Sequence, residues 1–178
     1  RFSRQTVGLV GGGRIGRTFG EFVRGLGADV VVSDPYLDPS DIPEFELVSF
    51  ETLIESADYV SIHSPLTEET RGMIDSDVFS TMKRTAALIN VSRGAIVDED
   101  ALLDAIEGGA IGGAALDVFA EEPPRDDHPL RDPERVITTP HVAWYSEQAN
   151  DERQYEAARN VRLVLQGEAP NDAVNDPR

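Results

Sequence analysis

Three glycines at fixed spacing mark the first place where this sequence could do chemistry. Gly11, Gly13 and Gly16 lie in the run GGGRIG, which satisfies the pattern G-x-G-x-x-G with Arg14 and Ile15 between the last two. A short apolar stretch, Thr6–Val10, precedes the run, and a helical pattern begins near Arg14. In that setting Gly11 permits a tight strand-to-helix turn, and Gly13 lets the backbone approach a pyrophosphate. Gly16 lets the helix pack close to the strand. The free N–H groups and dipole at the helix N-terminus favour an anion there. Asp34 follows Gly16 by eighteen residues, at the end of a second apolar stretch. A carboxylate at that point accepts hydrogen bonds from ribose hydroxyls and repels a 2′-phosphate, so the ligand expected is NAD and not NADP.

The elements that must hold these residues alternate along the chain. Thr6–Val10 reads as a buried strand, and a helix follows with Ile15, Phe19, Phe22, Val23 and Leu26 on one face. Gly27 stops that helix, Val30–Ser33 forms the second strand, and Pro35 prevents its continuation. The alternation goes on through helix Glu51–Ser56, strand Tyr59–His63, helix Asp75–Met82 and strand Ala86–Val91. A helix Glu99–Glu107 capped by Asp98 comes next, then strands Ala114–Val118 and Arg135–Thr138. Glu121–Pro133, rich in Pro, Asp and Glu, reads as a surface loop. A long helix, Ser146–Gln166, has apolar Ala158, Val161, Leu163 and Leu165, and a polar tail ends the chain. This order predicts an α/β fold with a doubly wound parallel sheet of the Rossmann type.

Beyond Asp34, four runs resemble the D-isomer-specific 2-hydroxyacid dehydrogenases. They are HSPLTEETRGMI (His63–Ile74), NVSRGAIVDEDAL (Asn90–Leu102), LDVFAEEP (Leu116–Pro123) and TPHVAWYSEQA (Thr139–Ala149). The last, with Trp144 and Tyr145, is most similar to the branch containing the C-terminal-binding protein corepressors. The resemblance implies that Arg93 grips a substrate carboxylate and keto oxygen, that His141 is the catalytic histidine and that Glu122 is its partner. It places Asp117 near the nicotinamide carboxamide and makes Ser64–Thr70, with Pro65, the lining of the adenine and ribose site. His63 becomes a pocket wall, and Val91, Ser92, Arg93, His141 and Trp144 become further cofactor contacts. These residue types suit the chemistry. Arginine offers a planar fork for a carboxylate, histidine exchanges a proton near neutral pH, and a carboxylate beside it fixes its tautomer.

The resemblance also implies a second domain, built from a region before the nucleotide-binding unit and a return segment after it. Residues 1–145 would then be the NAD-binding domain and 146–178 the return segment. The chain opens on Arg1 and runs almost at once into its first strand, which reads as a piece of a longer protein. Such a piece is expected to bind NAD while turning over poorly alone. Two functions stay open: an NAD-dependent reductase of a small 2-oxo acid such as glyoxylate, hydroxypyruvate or 3-phosphohydroxypyruvate, and an NADH-sensing, corepressor-like binding module. Intact Arg93, Glu122 and His141 favour the enzyme.

Composition narrows the partners. The 178 residues are 40% hydrophobic and 28% charged, an ordinary globular mixture. Net charge is −17, from 33 acidic against 16 basic residues, and Lys83 is the sole lysine. Such a field repels nucleic acids and anionic membranes, so neither is expected as a partner. The acids are spread along the whole chain, which reads as a solvated surface adapted to high salt. Cysteine is absent, in keeping with a cytoplasmic protein, and no metal-ligating pattern stands out. The family likeness also implies a homodimer.

Overall fold

In the computed structural model, which describes residues 2–131, 134–171 and 173, the chain forms two compact units, Arg1–His141 and Val142–Arg178. Asp132 and Pro133 of the expected surface loop, and Asp172 and residues 174–178 of the tail, lie outside the described residues.

The first unit is built on a seven-stranded parallel sheet. Its strands are β1 (Thr6–Val10), β2 (Asp29–Ser33), β3 (Glu46–Leu47), β4 (Tyr59–Ile62), β5 (Ala87–Asn90), β6 (Gly113–Leu116) and β7 (Val136–Thr138). The order across the sheet is β3-β2-β1-β4-β5-β6-β7, with every neighbouring pair parallel. The chain therefore reverses its direction of travel between β1 and β4, the switch point where open α/β sheets leave a crevice for ligands. Helices α1 (Arg14–Gly25), α2 (Phe50–Ser56), α3 (Ser76–Thr81) and α4 (Glu99–Glu107) make the crossovers. Their starts are set by local chemistry. Ser49, Asp75 and Asp98 each accept hydrogen bonds from backbone amides in the first turn of α2, α3 and α4.

Register decides what stands at the ligand end. Val10 is level with Ser33 on one side and Ile62 on the other. The residues that follow, Gly11, Asp34 and His63, therefore emerge side by side. Ile62 is level with Asn90, Asn90 with Leu116 and Leu116 with Thr138. Val91, Asp117 and Thr139 continue the same row.

The structure departs from the sequence reading in three places. β3 was not expected, because two residues carry no periodicity; Glu46 and Leu47 pair beside Val31 and Val32. The expected loop at 121–133 contains a turn of 3-10 helix at Pro129–Arg131, with Leu130 fully buried in the core. Helix α1 buries only part of its expected apolar stripe. Ile15, Phe22 and Leu26 are exposed, while Gly16, Gly20 and Val23 are buried. Glycines one turn apart let the helix axis come close to its neighbours: a Cβ on Gly20 would meet the Phe45 ring at 2.8 Å. Of the expected stripe Val23 is buried and Phe19 packs against the core, while the two glycines complete the buried face in place of the largest residues.

The core divides around the central strands. Leu53, Val60, Ile62, Phe79, Leu88, Ile96 and Leu102 belong to one cluster, and Val7, Leu9, Val32, Ile42 and Phe45 to another. In the second unit, α5 (Glu147–Leu165) is capped by Ser146 and buries none of its residues. There Arg153 lies over the Trp144 ring at 4.8 Å and Tyr145 meets that ring edge-on. Among the described residues no helix is long and apolar enough to cross a membrane.

Candidate active site and dinucleotide cavity

A cavity of about 520 Å³ opens at the switch point. Val10, Gly11 and Gly13 form its floor, Ser33–Tyr36 one side, and His63–Pro65 with Thr67, Glu69 and Thr70 the other. Val48, Ser49, Phe50 and Met73 complete the wall; the first three had no signal in the sequence pattern, and Met73 lies in the run His63–Ile74 but was given no role there.

The glycine loop is shaped by close backbone approach. Gly11 has φ +104, in the region that favours glycine, and a Cβ there would lie 2.8 Å from the Ser64 amide nitrogen. A Cβ on Gly16 would overlap the Gly11 carbonyl. Above Gly13 nothing lies within 4 Å of where a Cβ would stand, and no side chain caps α1 at that residue. The first amides of α1 thus keep their capacity for an anion. Asp34 is already oriented, one oxygen taking the Gly12 N–H at 2.9 Å and the other the Tyr36 N–H at 3.0 Å. Ser64 Oγ is buried on the cavity wall and has no hydrogen-bond partner among the described residues. A buried hydroxyl left so is costly unless a ligand meets it. These features fit a dinucleotide.

His63 sits beneath this loop, 3.0 Å from the Ser61 hydroxyl and against the Phe19 ring. Burial lowers its pKa from 6.5 to about 4. An unfolded chain takes up a proton as the pH falls below about 6.5, whereas the folded one resists until about 4. Native stability is therefore expected to drop across that window by about 3 kcal/mol and then level off for this group. Urea unfolding at several pH values should show the slope, and His63→Asn should flatten it. Parallel slopes in the two proteins would show that His63 is not its source.

The second group of residues lies further along the row. Glu122 Oε2 is 2.8 Å from His141 Nδ1, and its Oε1 accepts the Phe119 N–H at 3.0 Å. Burial pushes the Glu122 carboxyl up, but the hydrogen bonds from His141 and Phe119 outweigh it and hold the pKa below the ordinary value. His141 has φ 54, a left-handed backbone uncommon outside glycine. Asp117 holds this turn in place: its carbonyl accepts the His141 N–H at 2.8 Å and its carboxylate the Thr139 hydroxyl at 2.6 Å. Asp117, Glu122 and His141 line a cavity of about 600 Å³ with Pro124, Arg131 and Thr138.

Sequence reasoning missed what steadies the Glu122 loop. Glu99, at the start of α4, accepts the Ala120 N–H at 2.7 Å and lies 3.2 Å from His128 Nε2. Leu130 N–H donates to His128 Nδ1, so Nε2 is the donor to Glu99. Arg93 is carried by a turn in which buried Asn90 donates to the Arg93 carbonyl and accepts the Ser92 N–H. Its guanidinium donates to the Ser92 carbonyl.

The sequence-predicted residues thus fall into distinct places. Gly11, Gly13, Asp34, His63, Ser64, Pro65 and Thr70 line the first cavity, and Asp117, Glu122 and His141 the second. Gly16 packs beneath the loop, and Arg14 and Ile15 stand exposed at the start of α1. Val91, Ser92 and Arg93 form the turn after β5 and line neither cavity, and Trp144 belongs to the second unit.

Comparison with known proteins accords with this geometry. The family described as D-isomer specific 2-hydroxyacid dehydrogenase, NAD binding domain, matches residues 1–143. The chain belongs to that family, and its cofactor is NAD. It is 43% identical over 173 residues to D-3-phosphoglycerate dehydrogenase of Mycobacterium tuberculosis, covering 96% of this chain and 33% of that protein. It is 39% identical to glycerate dehydrogenase of Methylorubrum extorquens, covering 93% of this chain and 52% of that one. The crystal structure of D-lactate dehydrogenase with NAD+ from Lactobacillus jensenii superposes with a TM-score of 0.90 at 31% identity. That match covers 98% of this chain and 57% of the other. The chain thus spans a third to somewhat over half the length of these relatives. None of these three is a corepressor, and the binding-module alternative gains nothing from them.

Proposed function

We propose that this chain is the cofactor-binding part of an oxidoreductase that transfers a hydride between NAD and a small 2-hydroxy or 2-oxo acid. The observation that carries the reading is the Glu122–His141 pair, 2.8 Å apart, within a NAD-binding domain of this family. NAD, when bound, supplies or accepts the hydride. Gly11, Gly13, Arg14, Ile15 and Gly16 hold its pyrophosphate, and Asp34, Ser64, Pro65 and Thr70 its adenosine half. His63, Val91, Ser92, Asp117 and Trp144 complete the cofactor contacts. Arg93 orients the substrate carboxylate through its planar fork. With Nδ1–H donated to the Glu122 carboxylate, that proton stays on Nδ1 and the one exchanged with the substrate oxygen is given or taken at His141 Nε2.

Residues 1–145 serve in this reading as the nucleotide domain and 146–178 as a return segment. A homodimer, a cytoplasmic location and adaptation to high salt belong to the same proposal, supported by the family likeness, the absence of cysteine and the dispersed acidic charge.

The test is spectroscopic. NADH absorbance should fall on addition of a 2-oxo acid from a panel spanning glyoxylate, hydroxypyruvate and its phosphate, in protein containing the whole cleft. NADPH should bind far more weakly, because the Asp34 carboxylate would repel a 2′-phosphate. Tight NADH binding without oxidation by any acid would overturn the enzymatic reading.

A further inference from the structure

Tyr36 and Glu69 meet at the mouth of the dinucleotide cavity; Glu69 falls in the Ser64–Thr70 stretch expected to line the adenosine site, Tyr36 belongs to no motif, and their contact is part of none. The Tyr36 hydroxyl donates to Glu69 Oε2 at 2.7 Å. Tyr36 stands on the loop after β2 and Glu69 on the loop after β4. These strands are not neighbours; β1 lies between them. At the usual strand spacing the ends of β2 and β4 are roughly 10 Å apart, so the bond joins the loops that leave the sheet on either side of β1. Both residues line the cavity together with Asp34 and Thr70.

Each end of the bond is anchored. The Tyr36 N–H is held by Asp34 Oδ1. The Glu69 loop is braced by Thr70, whose hydroxyl donates to the Pro65 carbonyl at 2.6 Å and accepts the Thr67 N–H at 2.8 Å. Tyr36 is nonetheless 78% exposed, and Glu69 is exposed as well. A solvent-facing bond of this kind returns little to folding, so fold stability gives a poor reason for ordering both side chains. An aromatic ring held beside a site for adenosine gives a better one, since a base stacks on such a face.

We propose that Tyr36 and Glu69 form a clasp over the adenosine half of bound NAD that slows its release. Tyr36 is the wall that touches the ligand, and Glu69 is a positioning residue acting through it. The inference rests on the NAD-binding reading of this cavity. Opening the clasp requires breaking one exposed bond, and the ligand leaves through the gap it spans.

Stopped-flow measurement of NADH release tests this, with ADP-ribose and reduced nicotinamide mononucleotide as partial ligands. Tyr36→Phe keeps the ring and loses the bond; Glu69→Ala loses the acceptor; Glu69→Gln keeps an acceptor oxygen and removes the charge. Tyr36→Phe and Glu69→Ala should each speed NADH and ADP-ribose release by about 2- to 10-fold, the range of one hydrogen bond. Glu69→Gln should stay near the parent, and the double variant should release no faster than either single one. Binding of the mononucleotide, which lacks adenosine, should not change. Unchanged release in Tyr36→Phe, additive effects, or equal loss for the mononucleotide would overturn the clasp. A parent protein that binds neither NADH nor ADP-ribose would overturn the NAD reading along with it.

Discussion

Replacing His141 is expected to lower kcat for 2-oxo acid reduction by about 10²- to 10⁴-fold, the contribution of a positioned acid–base group. NADH affinity should change far less than kcat, because the residues of the dinucleotide cavity that hold the adenosine half are untouched by the substitution. Asn is a cleaner replacement than Ala here, since it tolerates the left-handed backbone at φ 54. Glu122→Gln should cost less, because an amide oxygen can still accept from Phe119 N–H or from His141, though without charge. Combining the two changes should add little beyond His141→Asn alone, as the pair acts as one unit. Turnover within tenfold of the parent in His141→Asn would remove this residue from the chemistry.

The second large effect is expected at Gly94, which touches neither ligand cavity. A Cβ there would overlap the Phe119–Ala120 peptide. Neither side can yield easily. The Ala95 and Ile96 carbonyls accept the Gly72 and Ile74 N–H groups, and Asp98 N–H donates back to Ile74. Ile96 is fully buried. On the other side, Phe119 N–H donates to Glu122 and Ala120 N–H to Glu99. Gly94→Ala should therefore destabilise the protein by about 3 kcal/mol, the upper range for overpacking, and lower the melting temperature by roughly 10 °C. It should also disturb the Glu122–His141 pair, visible as a changed His141 ring signal by NMR. A variant melting within about 2 °C of the parent would show that the two loops have more room than the geometry allows.

How far the sequence could be read depends on the range over which its signals act. Alternating apolar strands and amphipathic helices are local patterns, so the parallel α/β architecture follows from them and from chain order. The glycine run with Asp34 is local as well, because the turn, the helix start and the strand end each need particular residue types at short spacing. Asp98 as a helix cap falls in the same class. The assignment of Arg93, Glu122 and His141 was of another kind. Nineteen residues separate Glu122 from His141, and no periodicity joins them; only family likeness paired them before the 2.8 Å contact placed them together.

Tertiary structure decided the rest, and register is the physical reason. Hydrogen bonding sets Val10 level with Ser33 and Ile62, which delivers Gly11, Asp34 and His63 to one edge. The same ladder carries Asp117 beside the turn that leads to His141. Pairs such as Glu99 with His128, and Tyr36 with Glu69, join separate loops whose meeting depends on that ladder and on helix packing. The buried face of α1 was settled by how closely Gly16 and Gly20 let it approach, with Val23 and Phe19 of the apolar stripe beside them and Ile15 and Phe22 left outside. Residue types along the chain thus specified a fold and a phosphate loop. Which side chains share a cavity was set by strand register and backbone proximity, which no short window of sequence contains.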